Sequence, residues 1–330
     1  MDCLDLFSGA GGFTLGMKAA GFRTAYGVEI VRERRATFVR HTPDVRWLGG
    51  DASQVDFSAV KGKAEVIYGG PPCQPFSNGG LQRGEDDRRN GIPHFVRAVQ
   101  EAAPRGFIME NVVGLATGSR KSYLDRVVAE LEGLGYDVSW RILDAADFGV
   151  PQHRRRLFVA GVACGRFSFP DPTHGPGRAS PHIAVKDALP VDVPLGRPCP
   201  AKVTYFAKPD LRPSCFDGLL FNGSGRAIDV DRPCRTIVAS AGGARTHFFD
   251  TMGVVREYHS HLLAGGEPRK GEVPGCRRLS VEESAILQGF PADLEFQGPK
   301  SSQYAQVGDA VPPPLAAALG KAMNRSLCGR

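Results

Sequence analysis

Strand-like and helix-like segments alternate through the first 163 residues, and this rhythm limits the possible folds more than any other feature of the chain. Residues 4–7 form a short apolar strand. A tight loop, Ser8-Gly9-Ala10-Gly11-Gly12, leads into a helix over residues 13–20 with Phe13, Met17 and Ala20 on one face. A second strand over 24–28 ends at Glu29, and another over 106–109 runs into Glu110-Asn111. Between residues 121 and 135, Leu124, Val127, Val128, Leu131 and Leu134 recur at helical spacing, and glycines close the element. Segments 138–143 and 157–162 supply two further strands. Such alternation builds an α/β fold, a mostly parallel sheet with helices on both faces.

After Val162 the texture changes. Residues 163–278 hold 13 of the 25 prolines, helical periodicity is hard to find, and Gly223-Ser224-Gly225, Arg232-Pro233 and Gly242-Gly243 interrupt the chain. This reads as a smaller, loop-rich domain. Helical character returns over 281–289 and 314–323. The expected organisation is a catalytic and cofactor-binding domain at 1–163 and a separate domain at 164–276. A segment at 277–330 then returns to complete the first domain.

Composition narrows the function classes. With 330 residues the chain can bury a sizeable core, and no apolar stretch approaches the ~20 residues of a membrane span. The 8 cysteines are scattered without a Cys-x-x-Cys pair, which argues against a disulfide framework or a zinc site and for a reducing cytoplasm. The net charge of +6 permits a polyanionic partner without demanding one.

Chemistry concentrates at Pro71-Pro72-Cys73-Gln74, just after the apolar run Val66-Ile67-Tyr68 and Gly69-Gly70. Two prolines continue neither strand nor helix, so this thiol is projected from a sheet edge rather than packed as core filler. The glycine loop at residues 8–12 lets backbone approach a ligand, but its spacing departs from the dinucleotide pattern, so pyrophosphate binding is not favoured. Glu29, about 20 residues on, stands where an acid accepts from ribose hydroxyls. Asp51, beside Ala52 and after Gly49-Gly50, can accept from an adenine amino group. Loop and acids together point to a nucleoside. The bland reading of the same residues is a structural turn with two exposed acids.

With Gly70-Pro71-Pro72-Cys73-Gln74-Pro75-Phe76-Ser77 added, the chain resembles the DNA cytosine carbon-5 methyltransferases of bacterial restriction–modification systems. The motifs run in family order: the cofactor loop from Asp5 to Phe13, the Pro-Cys-Gln nucleophile segment, and Glu110-Asn111-Val112. Gln152-His153-Arg154-Arg155-Arg156, Leu287-Gln288-Gly289-Phe290-Pro291 and Gln306-Val307-Gly308-Asp309-Ala310-Val311-Pro312 follow. One position departs: the family usually carries asparagine where Asp309 stands.

The resemblance implies an S-adenosylmethionine-dependent, Rossmann-like fold and a methyl transfer to cytosine in double-stranded DNA. By it, Cys73 adds to carbon 6 of a flipped-out cytosine. Glu110 relieves charge at ring nitrogen 3 with a raised pKa, and Arg154 and Arg156, sharing a face, contact the carbonyl oxygen. Phe7, Ser8, Gly9, Ala10, Gly11, Gly12, Glu29, Ile30, Asp51, Ala52, Gly70, Pro72, Asp309, Ala310 and Val311 would line the cofactor site. No metal is implied. Gln74, Ser77, Arg83, Arg88 and Arg89 would touch DNA from the segment after the nucleophile, a candidate lid. Arg235, Thr236 and Arg245 would do so from the target-recognition domain at 164–276. A monomer in the bacterial cytoplasm, beside a cognate endonuclease it does not contact, is the implied setting. Two alternatives stay open: a transfer-RNA cytosine-5 methyltransferase, although Cys215-Phe216-Asp217 lacks the threonine of that group's Cys-Phe-Thr signature, and a catalytically inactive DNA-binding homologue.

Overall fold

The computed structural model describes residues 1–72 and 90–328. By its own packing the chain divides into two units, one of Met1–Phe148, Arg155–Thr173 and the residues from Ala310 on, the other of Gly149–Arg154 and His174–Asp309.

The first unit holds β1 (Asp2–Leu6), α1 (Gly12–Ala19), β2 (Arg23–Val28), α2 (Arg32–His41), β3 (Arg46–Gly49), β4 (Val66–Gly69), α3 (Ile92–Ala102), β5 (Gly106–Val112), α4 (Lys121–Gly133), β6 (Asp137–Asp144) and β7 (Arg155–Val162). These seven strands make one sheet in the order β3-β2-β1-β4-β5-β7-β6. All pairings from β3 to β5 are parallel, while β7 runs antiparallel between β5 and β6. The mostly parallel sheet expected from the alternation is present. Its central strands β4 and β5 carry apolar runs, as a sheet covered on both faces requires: Val66, Ile67, Tyr68, Phe107, Ile108 and Met109 are fully buried.

Two helices of this unit, α2 and α3, fall outside the elements expected from the sequence, although α3 carries a clear stripe of Ile92, Phe95, Val96, Val99 and Ala102. In α2, the sequence RERRATFVRH buries only Thr37 and Phe38. So short an apolar stripe gives little period to find.

A buried polar knot ties the sheet to the first loop. Thr14 Oγ1 donates to Asp5 Oδ2 at 2.7 Å and lies 2.8 Å from the Tyr68 hydroxyl, which is 2.6 Å from Thr24 Oγ1. Burial pushes the Asp5 carboxyl well above the usual carboxylate range.

The second unit holds α5 (Val185–Ala188), β8 (Tyr205–Asp210), β9 (Leu219–Phe221), β10 (Phe248–Asp250), α6 (Val254–Leu263), β11 (Cys276–Arg278), α7 (Val281–Leu287) and α8 (Lys300–Asp309). Its β-structure is two small antiparallel pairs, β8–β9 and β10–β11. A core of Val203, Leu220, Phe221, Phe248, Val255, Tyr258, Leu262 and Val273 lies among them. The fully buried Arg278 donates to the carbonyls of Ala201 and Thr246 and to Asn222 Oδ1, joining loops that have little regular structure of their own. The expectation that helical spacing is absent here is corrected by α6. Val255, Tyr258, His259 and Leu262 are its buried face, a helical period hidden in the sequence because two of the four carry polar atoms.

The chain then returns to the first unit as α9 (Pro313–Cys328), which packs on α1. Gly16 permits this approach: a Cβ there would stand 2.4 Å from both Ala316 Cβ and the Pro313 carbonyl oxygen.

Candidate active site

The loop between β1 and α1 is turned by three left-handed residues, Phe7, Gly9 and Gly11. Its shape is fixed by the strand beside it. The Ser8 amide donates to the Val28 carbonyl at 3.1 Å, and the Ser8 hydroxyl donates to the Asp5 carbonyl at 2.8 Å. Glu29, almost wholly buried at the end of β2, accepts from the Gly9 amide through one oxygen and the Val31 amide through the other, each at 2.8 Å. The carboxylate expected to meet a ribose thus also braces the loop that meets the rest of the nucleoside. Each oxygen keeps a second lone pair for a hydroxyl donor.

His41, at the end of α2, holds the loop from behind with Nε2 2.8 Å from the Ala10 carbonyl. Burial lowers its pKa, so the ring is neutral and Nε2–H is the donor. A Cβ on Gly11 would lie 2.4 Å from the His41 ring, so close packing as well as its positive φ requires glycine there.

Beside the loop, Ile30 is 68% exposed, an unusual position for a large aliphatic side chain. The exposed Asp51 follows β3 and accepts from the Ser53 amide at 2.9 Å; that hydrogen bond holds its pKa below the usual carboxylate range. A Cβ built on Gly9 meets nothing within 4 Å. Acids at the ends of β2 and β3, an uncovered apolar face and an open glycine are a donor and acceptor set that fits the adenosine of S-adenosylmethionine.

The second cluster gathers at the ends of β4, β5 and β7. Gly69 must be glycine, since a Cβ would come 1.9 Å from the Leu6 carbonyl oxygen. Asn111 Nδ2 donates to the Pro71 carbonyl at 3.2 Å, and the Gly91 amide to the Pro72 carbonyl at 2.9 Å. A Cβ on Gly91 would press on Pro72 and the Phe7 ring, so both chemical segments converge there. Glu110 and Arg156 are diagonal neighbours across the β5–β7 ladder. Arg156 Nε lies 3.0 Å from Glu110 Oε1, both side chains being largely buried. The other carboxylate oxygen, Oε2, is 3.0 Å from the position of a Cβ on Gly70. Cys73, Gln74, Ser77, Arg83, Arg88 and Arg89, with the candidate lid, lie outside the described residues.

β7 begins at Arg155, and Arg154, one residue before it, belongs to the second unit. Its buried guanidinium donates to the carbonyls of Ile237 at 3.2 Å and Gly308 at 2.7 Å. Gln152, fully buried, accepts from the Ile237 amide at 2.9 Å and donates to Leu287 and Gln288. Gln152 and Arg154 therefore hold both backbone groups of Ile237, while Thr236 Oγ1 donates to the His153 carbonyl. Replacing Arg154 by methionine is expected to destabilise the protein by about 2–4 kcal/mol, because two buried carbonyls lose their donors. A denaturant midpoint checks this, and a change below about 0.5 kcal/mol would place the side chain in solvent instead.

Arg235 and Arg245 are exposed. The first pairs with Asp217 and the second donates to Ser240 Oγ. Asp309 closes α8 and is exposed; Ala310 and Val311 follow in the first unit.

The family model described as C-5 cytosine-specific DNA methylase matches residues 1–175 and 236–325. The chain belongs to that family. It is a DNA cytosine-5-methyltransferase whose methyl donor is S-adenosylmethionine. Among curated relatives, it is 36% identical over 334 residues to the Type II methyltransferase M.AplI of Arthrospira platensis, covering 98% of this chain and 86% of that one. To M.AgeI of Thalassovita gelatinovora it is 30% identical, over 99% of each chain. Two solved structures share the fold. One is a putative DNA modification methyltransferase of an Escherichia coli prophage, with TM-score 0.69 and 22% identity over 99% of both chains. The other is a DNMT2 mutant of Spodoptera frugiperda, with TM-score 0.73 and 17% identity over 98% of this chain and 99% of that one.

Sequence reasoning gave this methylase's His41 and Gln288 no part in the site. No motif marks His41. Gln288 lies in a quoted motif, but its pairing with Gln152 spans 136 positions, and nothing local announces it.

Proposed function

We propose that this chain transfers a methyl group to carbon 5 of a cytosine swung out of a specific double-stranded DNA sequence, through a transient bond from Cys73 to carbon 6. The observation that supports it is the Glu110–Arg156 pair, with Glu110 Oε2 facing Gly70, three residues before Cys73. When bound, S-adenosylmethionine supplies the methyl as an activated sulfonium. Glu29 accepts from the ribose hydroxyls, Asp51 from the adenine amino group, and Ile30 and Phe7 cover the adenine ring, with Ser8–Gly12, Ala52, Gly70, Pro72 and Asp309–Val311 completing the cradle.

The Cys73 thiolate adds to carbon 6, which turns carbon 5 into the nucleophile. Glu110 hydrogen-bonds ring nitrogen 3 and the exocyclic amine as negative charge builds on the ring. Arg156, held by Glu110, is aimed at the cytosine carbonyl oxygen. Loss of the carbon-5 proton then expels the thiolate. Arg154 serves as a positioning residue through Ile237 and Gly308. Flipping the base costs a few kcal/mol, which contacts to phosphate from Gln74, Ser77, Arg83, Arg88 and Arg89 help offset.

Residues 164–276 read the target, with Arg235, Thr236 and Arg245 as their contacts to DNA. The division of labour follows the expected ranges, catalysis at 1–163 and 277–330 and recognition at 164–276. In keeping with the Type II names of its relatives, the enzyme works as a monomer in a bacterial cytoplasm and protects host DNA from a cognate endonuclease without touching it.

A duplex library carrying 5-fluorocytosine tests this, because fluorine at carbon 5 blocks the proton loss that releases the enzyme. Incubation with S-adenosylmethionine should give an adduct that survives denaturation, and sequencing the trapped duplexes gives the site. Trapping on transfer RNA alone, or no adduct at all, would overturn the proposal.

A further inference from the structure

After β3 the chain passes Asp51 and runs through two short 3-10 turns, Ala52–Gln54 and Phe57–Val60. Within residues 51–57 the Gln54 amide donates to the Asp51 carbonyl at 3.0 Å. What holds the segment comes from α3. Arg97 Nη2 donates to the Ala52 carbonyl at 2.6 Å, and Nη1 donates to the Val55 carbonyl at 2.9 Å and to Glu101 Oε1 at 2.8 Å. Glu101 Oε2 accepts from the Phe57 amide at 2.9 Å, and the guanidinium lies 4.9 Å from the centre of the Phe57 ring. One ion pair, about a third exposed, thus fixes three backbone groups within six residues.

A helical pair four residues apart stabilises little by itself. The planar fork of arginine matters here because it reaches two carbonyls at once, which a lysine cannot do with the same geometry. Asp51 projects from the residue just before that anchored stretch, and its carboxylate is otherwise set only by Ser53. We propose that Arg97, with Glu101, is a positioning residue that sets Asp51 for the amino group of the cofactor's adenine. The proposal rests on the reading of Asp51 given above as the acceptor of that amine. Neither residue touches the cofactor. Their effect is on one hydrogen bond, and therefore on discrimination at carbon 6 of the purine.

The test is calorimetric binding to the full chain of two probes, S-adenosylhomocysteine and its analogue with hydrogen in place of the adenine amino group. In Arg97→Met, which keeps the aliphatic stem on Phe57, the parent compound is expected to bind roughly fivefold to tenfold more weakly. The analogue should change by less than about twofold, since it lacks the bond at stake. Equal weakening of both would mean general loosening, and no weakening of either would mean no role; both overturn the proposal. Asp51→Ala separates the two ideas. If it fails to favour the analogue, the reading of Asp51 falls; if it does while Arg97→Met does not, the inference about Arg97 alone falls. Should Arg97→Met melt below the assay temperature, Arg97→Lys is judged by the same ratio, with a smaller shift in the same direction.

Discussion

Cys73→Ser should abolish turnover, lowering methyl transfer roughly ten-thousand-fold or more, while S-adenosylhomocysteine binds within about twofold of the parent protein. The asymmetry is the point. A serine hydroxyl at neutral pH is a far weaker nucleophile than a thiolate and has no base assigned beside it, so addition to carbon 6 stalls. The cofactor cradle is built separately, from Glu29 bonded to the Gly9 and Val31 amides and from Asp51 after β3. It is indifferent to one sulfur atom. Tritium transfer to duplex DNA and calorimetry on the same preparation measure the two halves. Activity within tenfold of the parent would refute the covalent role, and loss of cofactor binding as well would mean the substitution had disturbed the fold.

The second large effect is expected from Glu110→Gln, about a hundredfold to a thousandfold in the single-turnover rate. Glutamine keeps the shape and one acceptor oxygen but cannot take up charge or carry a proton at ring nitrogen 3. It also leaves the Arg156 guanidinium, largely buried and 3.0 Å from the lost charge, without its ionic partner. A loss of about 1–3 kcal/mol in stability should accompany the rate. The two effects separate by substrate: trapping on 5-fluorocytosine should slow in step with the rate, whereas DNA affinity in a gel shift should barely move. A rate within tenfold of the parent would remove Glu110 from the chemistry.

The fold was legible in the sequence wherever one side of an element is apolar. The strands now called β1, β2, β5, β6 and β7, and helices α1, α4, α7 and α9, follow from runs and periods that burial imposes. α2 and α8 carry shorter stripes, α6 hides its stripe in a tyrosine and a histidine, and α3 was missed although its apolar period is plain. The chemical residues were legible for a different reason. Glycine at 69 or 11 and the acid at 29 leave marks because no other residue fits their geometry or charge. The contacts of Arg154 show where that reasoning stops. The clamp of Gln152 and Arg154 on Ile237, and of Arg97 on Ala52 and Val55, consists of contacts to backbone atoms far along the chain. Any side chain's sequence exposes such carbonyls, so no local pattern distinguishes those that are used.

The helix that packs on α1 is made late. As the polypeptide leaves the ribosome, Phe13, Met17 and the bare backbone at Gly16 emerge early, yet their cover, from Pro313 to Cys328, is threaded only after the whole second unit has appeared. Until then the helix that opens at the cofactor loop has one wet apolar flank. A product cut short before residue 313 therefore lacks the cover of the helix that opens at the glycine loop.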